Sequence, residues 1–418
     1  MERLPGFRDF YPEPLPSKDA SSFDLRNYIF SKWRETAVKY GFRQYDGPPL
    51  ETLDLYTTKS GEEIVGQLYN FSDKGNRAVS LRPEMTPTLA RMIAASERNY
   101  KKPLKWFSLP QLFRYERHQK GRLREHFQFN ADIFGETEPA ADAELVALLI
   151  DSLRSFGLTS DDFVIRLSSR NAWQDFFNKR ASDQSRAYEF YQVIDKMERE
   201  KPEVTDERLK ALGFSTSEVK DFIQAGKPTE ELQSVLRHLG SRKLDPFVQI
   251  DYNIIRGLAY YTGVVFEAFA KGASMRAIAG GGRYDNLVKL ISGGKVDLPA
   301  LGFGMGDVVL ADLLTEKKLV PKLQINIDAF VLIEDESLRD QSLFLVQQLR
   351  DAGLVTEYPL VPTKSDKQFK RALELNSRFT LRVQLKDGRE VASVKNLASQ
   401  QQIEMAPGEV SGFLSAQC

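Results

Sequence analysis

The sequence predicts an α+β protein whose larger N-terminal part is interrupted by a helical insertion and followed by a small α/β domain. Three observations predict it. Residues 104 to 136 alternate apolar and polar side chains on either side of a polar turn. Residues 171 to about 245 are rich in Lys, Glu and Gln at helical spacing, with few strand signals. From near residue 320, short apolar runs alternate with amphipathic stretches. At 418 residues the chain exceeds one ordinary core, so two or three domains are expected.

The first element is a helix over residues 21 to about 40. Ser21 and Ser22 offer an N-cap, Leu25, Ile29, Trp33 and Ala37 recur every four residues, and Gly41 supplies the stop. A short extended piece then ends in Pro48-Pro49, which suits an edge or a boundary. In the hairpin, Leu112, Arg114 and Glu116 alternate with Phe113 and Tyr115. After the turn, Gln128, Asn130 and Asp132 alternate with Phe127, Phe129, Ala131 and Ile133. Helix follows from about Ala140 to Phe156, and then the insertion. Strand signals return at Phe247 to Tyr252 and Val264 to Phe269. Ala277 to Tyr284 contains three successive glycines, and Gly302 to Gly306 leads into an apolar helix from near Asp307. Beyond residue 320, Asp328 to Ile333, Leu354 to Tyr358 and Arg378 to Leu385 read as strands. Ser337 to Asp351 and Asp366 to Leu375 read as helices between them. That alternation predicts parallel pairing.

Composition removes several function classes. Lys+Arg and Asp+Glu both number 58, so any nucleic-acid contact must use local patches. The single cysteine is Cys418, which excludes a disulfide framework and a thiolate metal site and fits a reducing cytoplasm. His118, His126 and His238 lack metal-ligand spacing, so no protein-held metal is expected. No apolar run approaches the roughly 18 residues of a membrane span. The start has no apolar signal region either, so a cytoplasmic protein with no membrane contact is expected.

Four clusters can carry chemistry. The hairpin bears Arg114, Arg117, Lys120, Arg122 and Arg124 against Glu116. Guanidinium forks suit phosphate oxygens, though a solvated charged hairpin would look the same. Arg256-Gly257-Leu258-Ala259-Tyr260-Tyr261 offers a guanidinium and two phenols, or plain packing. Arg82-Pro83-Glu84-Met85-Thr86 presents Glu84 and Thr86 to an ammonium group, or to the start of a helix as caps. The glycines at 280 to 282 and at 302, 304 and 306 let backbone approach a flat ligand. They match neither a P-loop nor a dinucleotide fingerprint.

In order and spacing these clusters resemble histidyl-tRNA synthetases, a class II family, along nearly the whole chain. Leu4-Pro5-Gly6-Phe7-Arg8-Asp9 looks like the opening signature, and the helix ending at Gly41 with the strand to Pro48-Pro49 looks like motif 1. Phe113-Arg114-Tyr115-Glu116-Arg117 through Gln128 and Asp132 looks like motif 2. Arg256-Gly257-Leu258 with Tyr260-Tyr261 is similar to the histidine-specific signature, and Gly302-Phe303-Gly304-Met305-Gly306 falls where motif 3 should. The resemblance implies a catalytic domain over 1–322 with a mixed, mainly antiparallel sheet flanked by helices. It also implies an insertion over about 171–245 and an α/β anticodon-binding domain over 323–418.

It further implies activation of histidine with ATP and Mg²⁺, transfer to tRNA(His), and a homodimer built on motif 1. Arg114 and Arg256 would be catalytic, at the α-phosphate and the attacking carboxylate. Arg114, Glu116, Arg122, Gly304 and Gly306 would bind ATP. Glu84, Thr86 and Gln128 would receive the α-ammonium group, Asp132, Tyr260, Tyr261 and Tyr284 would complete the histidine pocket, and Gln119 would approach the tRNA acceptor end. Three departures stand out. Asp307-Val308-Val309 occupies the stretch where the family usually has an arginine that stacks on adenine. Asp132 replaces the longer glutamate of many bacterial relatives. Lys386-Asp387-Gly388 follows the last strand where an acidic Gly-Glu segment is usual. The competing expectation is a non-catalytic paralogue, a regulatory subunit of ATP phosphoribosyltransferase.

Overall fold

Local signals set the first helix. The Ser22 hydroxyl accepts the Leu25 amide at 3.1 Å and opens the helix Phe23–Lys39. Gly41, at φ +78°, turns the chain after it. Ile29, Trp33 and Ala37 share one buried face. The computed structural model describes residues 2–417 apart from 61, 116–122, 199, 257–259, 273–276 and 325. It holds two compact units, Met1–Tyr11 with Ser17–Pro321, and Pro12–Pro16 with Lys322–Cys418.

In the first unit the described residues form a nine-stranded sheet. Its order is Val248–Ile250, Phe163–Ser169, Val264–Ala270, Ala279–Arg283, Ala300–Gly306, Glu125–Phe134, Leu104–Ser108 and Arg43–Gln44. Gln111–Phe113 pairs with the 125–134 strand off that path. Only the outermost pairs, 163–169 with 248–250 and 43–44 with 104–108, run parallel, so the sheet is mixed and mainly antiparallel as expected.

Because side chains alternate across a strand, Phe129, Ala131 and Ile133 share a face with Phe303 and Met305. These pack with Trp33 of the first helix and with Leu145 and Leu149 of the helix Pro139–Arg154 in one core. Each such buried side chain contributes about 1.5–3 kcal/mol. Hydrophobic burial therefore holds this face, and the opposite face is left for polar groups.

The chain from Arg170 to Ser241 forms the helices Arg170–Asn178, Ala187–Lys196, Pro202–Ala211, Thr216–Ala225 and Glu230–Ser241. Aromatic rings knit them together, Phe190 lying 4.6 Å from Phe214 and Trp173 4.6 Å from Phe222 between centroids. A three-stranded sheet of Leu50–Thr52, Ala78–Leu81 and Asn70–Ser72 was not expected from the sequence. It matters because the 78–81 strand delivers the Arg82-Pro83-Glu84 segment.

In the second unit the strand order is Thr356–Glu357, Ala329–Leu332, Phe379–Lys386, Arg389–Asn396 and Gln402–Met405. The three strands read from the sequence pair in parallel as expected, and two further strands that the sequence reading did not single out add to the sheet antiparallel. Asp387 at φ +50° and Gly388 at φ +74° explain the difference, since two consecutive positive φ values make the tight turn of a hairpin. No helix among the described residues is long and apolar enough to cross a membrane.

Candidate active site

The polar face of the large sheet has a floor of glycine. Register sets Gly306 opposite Gln128, Gly304 opposite Asn130, and Gly302 opposite Asp132. On the other side Gly304 faces Gly280 and Gly302 faces Gly282, and Gly280 faces Glu267 in turn. Neighbouring side chains lean into the space this leaves. A Cβ at Gly302 would lie 1.9 Å from Asp132 Oδ1, one at Gly304 2.5 Å from Gln128 Cδ, and one at Gly280 2.5 Å from Arg256 Nη1. Glycine is therefore required at these positions for close approach rather than for an unusual φ.

At one end of this floor Asp132 is buried, and the Tyr284 hydroxyl donates to its Oδ1 at 2.5 Å. Burial pushes the Asp132 carboxyl up to about 7, against the opposing pull of the Tyr284 hydrogen bond. Tyr284 is itself raised, by burial first and then by the adjacent carboxylate. The rings of Tyr260 and Tyr284 meet edge to face at 5.8 Å, and Tyr260 stacks at a tilt on Tyr261 at 4.7 Å. The Tyr260 hydroxyl donates to Glu84 Oε2 at 3.3 Å.

Across the floor, Arg256 donates from Nη1 to Glu267 Oε1. Burial would lower its pKa, but Tyr261 and Glu267 more than offset that and hold the guanidinium as a permanent cation. Its backbone sits at φ +58°, uncommon for a residue with a Cβ and a mark of a constrained position. The Arg256 Nε is buried with no partner among the described residues, leaving a donor for an incoming acceptor.

The segment bearing Glu84 is fixed from both sides. Arg82 is buried and donates to the Gln111 carbonyl at 3.0 Å and the Gly47 carbonyl at 2.6 Å. Arg114 donates from Nε to the Pro83 carbonyl at 3.1 Å. Its backbone amide also extends the hairpin pairing to the Arg124 carbonyl at 2.9 Å. The helix Thr86–Ser96 takes Met85 as its N-cap with no side-chain cap bond, so Glu84 and Thr86 do not serve as caps there. Both are half-buried. His126, on the Arg114 side of the hairpin, is held down to about 3 by burial, then by Arg114 and Arg8, and is a neutral imidazole.

Of the residues singled out in the sequence, Glu84, Thr86, Arg114, Gln128, Asp132, Arg256, Tyr260, Tyr261, Tyr284, Gly304 and Gly306 all belong to this face or the segments bordering it. Glu116, Gln119 and Arg122 lie outside the described residues. Sequence reasoning missed four contributors. Glu267 anchors Arg256, and its strand position opposite Gly280 could not be read without the register. Arg283 is buried and binds Asp142 Oδ2 through Nε at 3.0 Å and Nη2 at 2.6 Å, fixing the strand that ends in Tyr284. Tyr45 packs at a tilt on Trp106 at 5.8 Å, and Trp106 is the cross-strand partner of Asp132. Finally, Arg8 reaches Glu125 at 2.8 Å and Asp307 at 2.9 Å.

Comparison with known proteins gives consistent results. A family profile described as histidyl-tRNA synthetase matches residues 19–306. A relative named histidine–tRNA ligase from Opitutus terrae is 43% identical over 408 residues, 91% of this chain and 90% of that one. Another from Arabidopsis thaliana, named as the chloroplastic/mitochondrial histidine–tRNA ligase, is 36% identical over 96% of this chain and 84% of its own. The crystal structure of histidyl-tRNA synthetase from Nostoc sp. PCC 7120 superposes with a TM-score of 0.76 at 23% identity, covering 98% of both chains, a likeness of fold.

Proposed function

The chain belongs to the histidyl-tRNA synthetase family, and we propose from that premise that it joins histidine to ATP as histidyl-adenylate and passes the histidyl group to tRNA(His). The observation that carries the reading is the pairing of opposite chemistries on one glycine floor. A buried carboxylate and phenol, Asp132 and Tyr284, lie over Gly302, and a permanent cation, Arg256, lies over Gly280. A substrate with a basic ring at one end and a reacting carboxylate at the other fits that polarity.

In this reading Glu84, Thr86 and Gln128 receive the α-ammonium group. Asp132, Tyr260, Tyr261 and Tyr284 surround the imidazole. The histidine carboxylate attacks the α-phosphorus in line, the bond to the bridging oxygen breaks, and pyrophosphate leaves. Arg256 and Arg114 neutralise charge that grows on the α-phosphoryl oxygens, and Glu116 and Arg122 hold the rest of ATP. Gly304 and Gly306 let the nucleotide lie close to the backbone. A terminal ribose hydroxyl of the tRNA, guided by Gln119, then attacks the adenylate carbonyl and AMP departs. Alignment and charge stabilisation suffice, and no covalent nucleophile is involved.

Among the described residues no group of three or more His, Cys, Asp or Glu side chains could hold a metal. Mg²⁺ accompanying ATP would take its ligands mainly from phosphate oxygens and water, with at most one or two carboxylates. The family likeness also supports a homodimer through the 23–39 helix and the strand after it, a cytoplasmic location, and anticodon reading by the domain over 323–418. The regulatory-subunit alternative is not favoured, because the ligase-named relatives match nearly the whole chain and both Arg114 and Arg256 are present.

Histidine-dependent exchange of pyrophosphate into ATP tests the reading. Exchange should be robust in the native protein and collapse in Arg256→Ala and Arg114→Ala. Absence of exchange with every amino acid, at saturating ATP and Mg²⁺, would sink it.

A further inference from the structure

We propose that the chain start is a clasp that positions Arg114, with Gly6 and Phe7 holding the hairpin stem from outside, an inference that rests on the ATP-dependent function above. The stem extends beyond the large sheet. Gln111–Phe113 pairs with residues 125–127, past the stretch 128–134 that the neighbouring strand covers. A two-stranded ribbon is marginally stable by itself in water, so its outer edges need partners. Segments distant in the chain supply them. On one edge the Phe113 and Tyr115 amides donate to the Arg82 and Gln67 carbonyls at 3.0 and 2.9 Å. On the other, the Gly6 carbonyl accepts the Arg124 amide at 2.9 Å and the Glu125 amide at 3.3 Å.

A relay of main-chain bonds then reaches Arg114. The Arg124 amide is held by Gly6, and the Arg124 carbonyl in turn accepts the Arg114 amide at 2.9 Å. Phe7 adds a side-chain hold. Its ring lies 6.4 Å from Phe113 and 5.9 Å from Tyr69, and Tyr69 meets Tyr115 edge to face at 5.2 Å. Gly6 is required twice over, because it sits at φ +86° and an added Cβ would lie 2.7 Å from Arg124 Cγ. Arg8 completes the hold through Glu125. The Arg114 Nε is already pinned to the Pro83 carbonyl, so the placement of its backbone decides where the rest of the guanidinium points. Gly6 and Phe7 are positioning residues that act through Arg114.

Phe7→Ala removes the ring and no group assigned to substrate. In pyrophosphate exchange, kcat/KM for ATP should fall roughly 10- to 100-fold, the effect of a misplaced catalytic group, while KM for histidine stays within twofold. Gly6→Ala should produce the same split through the backbone. In both variants the stabilisation by added ATP and Mg²⁺ should shrink, and that by added histidine should persist. Coupling between two sites is reciprocal, so ATP should slow hydrogen exchange at the Arg124 and Glu125 amides of the native protein, and histidine alone should not. An unchanged kcat/KM for ATP in both variants would overturn the proposal and leave the synthetase function standing. Equal rises in both KM values with a lower melting temperature would also overturn it, by making the chain start a general support. Native protein without exchange activity would instead remove the function on which the proposal rests.

Discussion

Arg8 Nη1 lies 2.9 Å from Asp307 Oδ2, and Nε of the same guanidinium lies 2.8 Å from Glu125 Oε1. Asp307 in turn accepts the Phe127 amide at 2.9 Å. One cation from the chain start therefore joins the returning hairpin strand to the helix Asp307–Glu316. Asp307 stands in the stretch where the family usually has an arginine, and here it serves as the buried acceptor for an arginine from elsewhere.

Breaking that junction should be costly. Arg8→Met leaves Glu125 and Asp307 as buried carboxylates without their counter-charge, and burial already pushes the Asp307 carboxyl up against the opposing pull of Arg8. Unfolding free energy from urea denaturation should drop by about 3–5 kcal/mol. A loss below about 1 kcal/mol would mean that neither carboxylate depends on Arg8.

Asp132 should give the unliganded protein a distinctive pH dependence. Its folded value of about 7 lies above the ordinary aspartate value of about 3.9, so the folded state holds the proton more tightly. The stability this proton contributes is complete below about pH 4, declines as the pH rises, and is gone above about pH 7. Relative to Asp132→Asn, which does not titrate, the native protein should lose melting temperature across that window and level off beyond it. A constant difference between the two from pH 4 to 8 would show that Asp132 is ionised throughout.

The glycine floor predicts unequal effects of equal substitutions. Gly302→Ala drives a methyl into Asp132 Oδ1 and should raise the histidine KM at least about tenfold, the penalty for displacing one strong polar contact. At Gly306 nothing among the described residues lies within 4 Å of an added Cβ. Gly306→Ala should leave the histidine KM unchanged and act, if at all, on ATP. Steady-state exchange kinetics compare them directly, and equal effects would contradict the geometry.

The two units have separate cores, with Val331, Leu345 and Leu381 in one and Trp33, Phe129 and Leu149 in the other. A chain ending at Pro321 should keep pyrophosphate exchange and lose most tRNA charging. Full charging by that chain would refute anticodon reading by the second unit.

Much of this was legible in the sequence for a physical reason: periodicity reports which face a residue occupies. Gln128, Asn130 and Asp132 could be placed on one strand face before any coordinates, whereas the glycines at 302, 304 and 306 were read only as sites of close backbone approach. What periodicity cannot report is which strands become neighbours. The pairing of Gly302 with Asp132 joins residues far apart in the chain, and so does the clasp of Arg283 on Asp142. Tyr45 was hidden differently, since a lone tyrosine beside an edge strand carries no pattern. The Asp387-Gly388 turn was readable, because that dipeptide is a strong hairpin signal, yet the two strands past it were not singled out.

A floor made of main chain has nothing to mutate productively. At Gly280, Gly302 and Gly304 any replacement adds atoms where Arg256, Asp132 or Gln128 already lies. On the proposed reading, new substrate preferences in this scaffold arise from the walls, through Asp132 and the phenols around it. The platform can be inherited unaltered while its selectivity drifts.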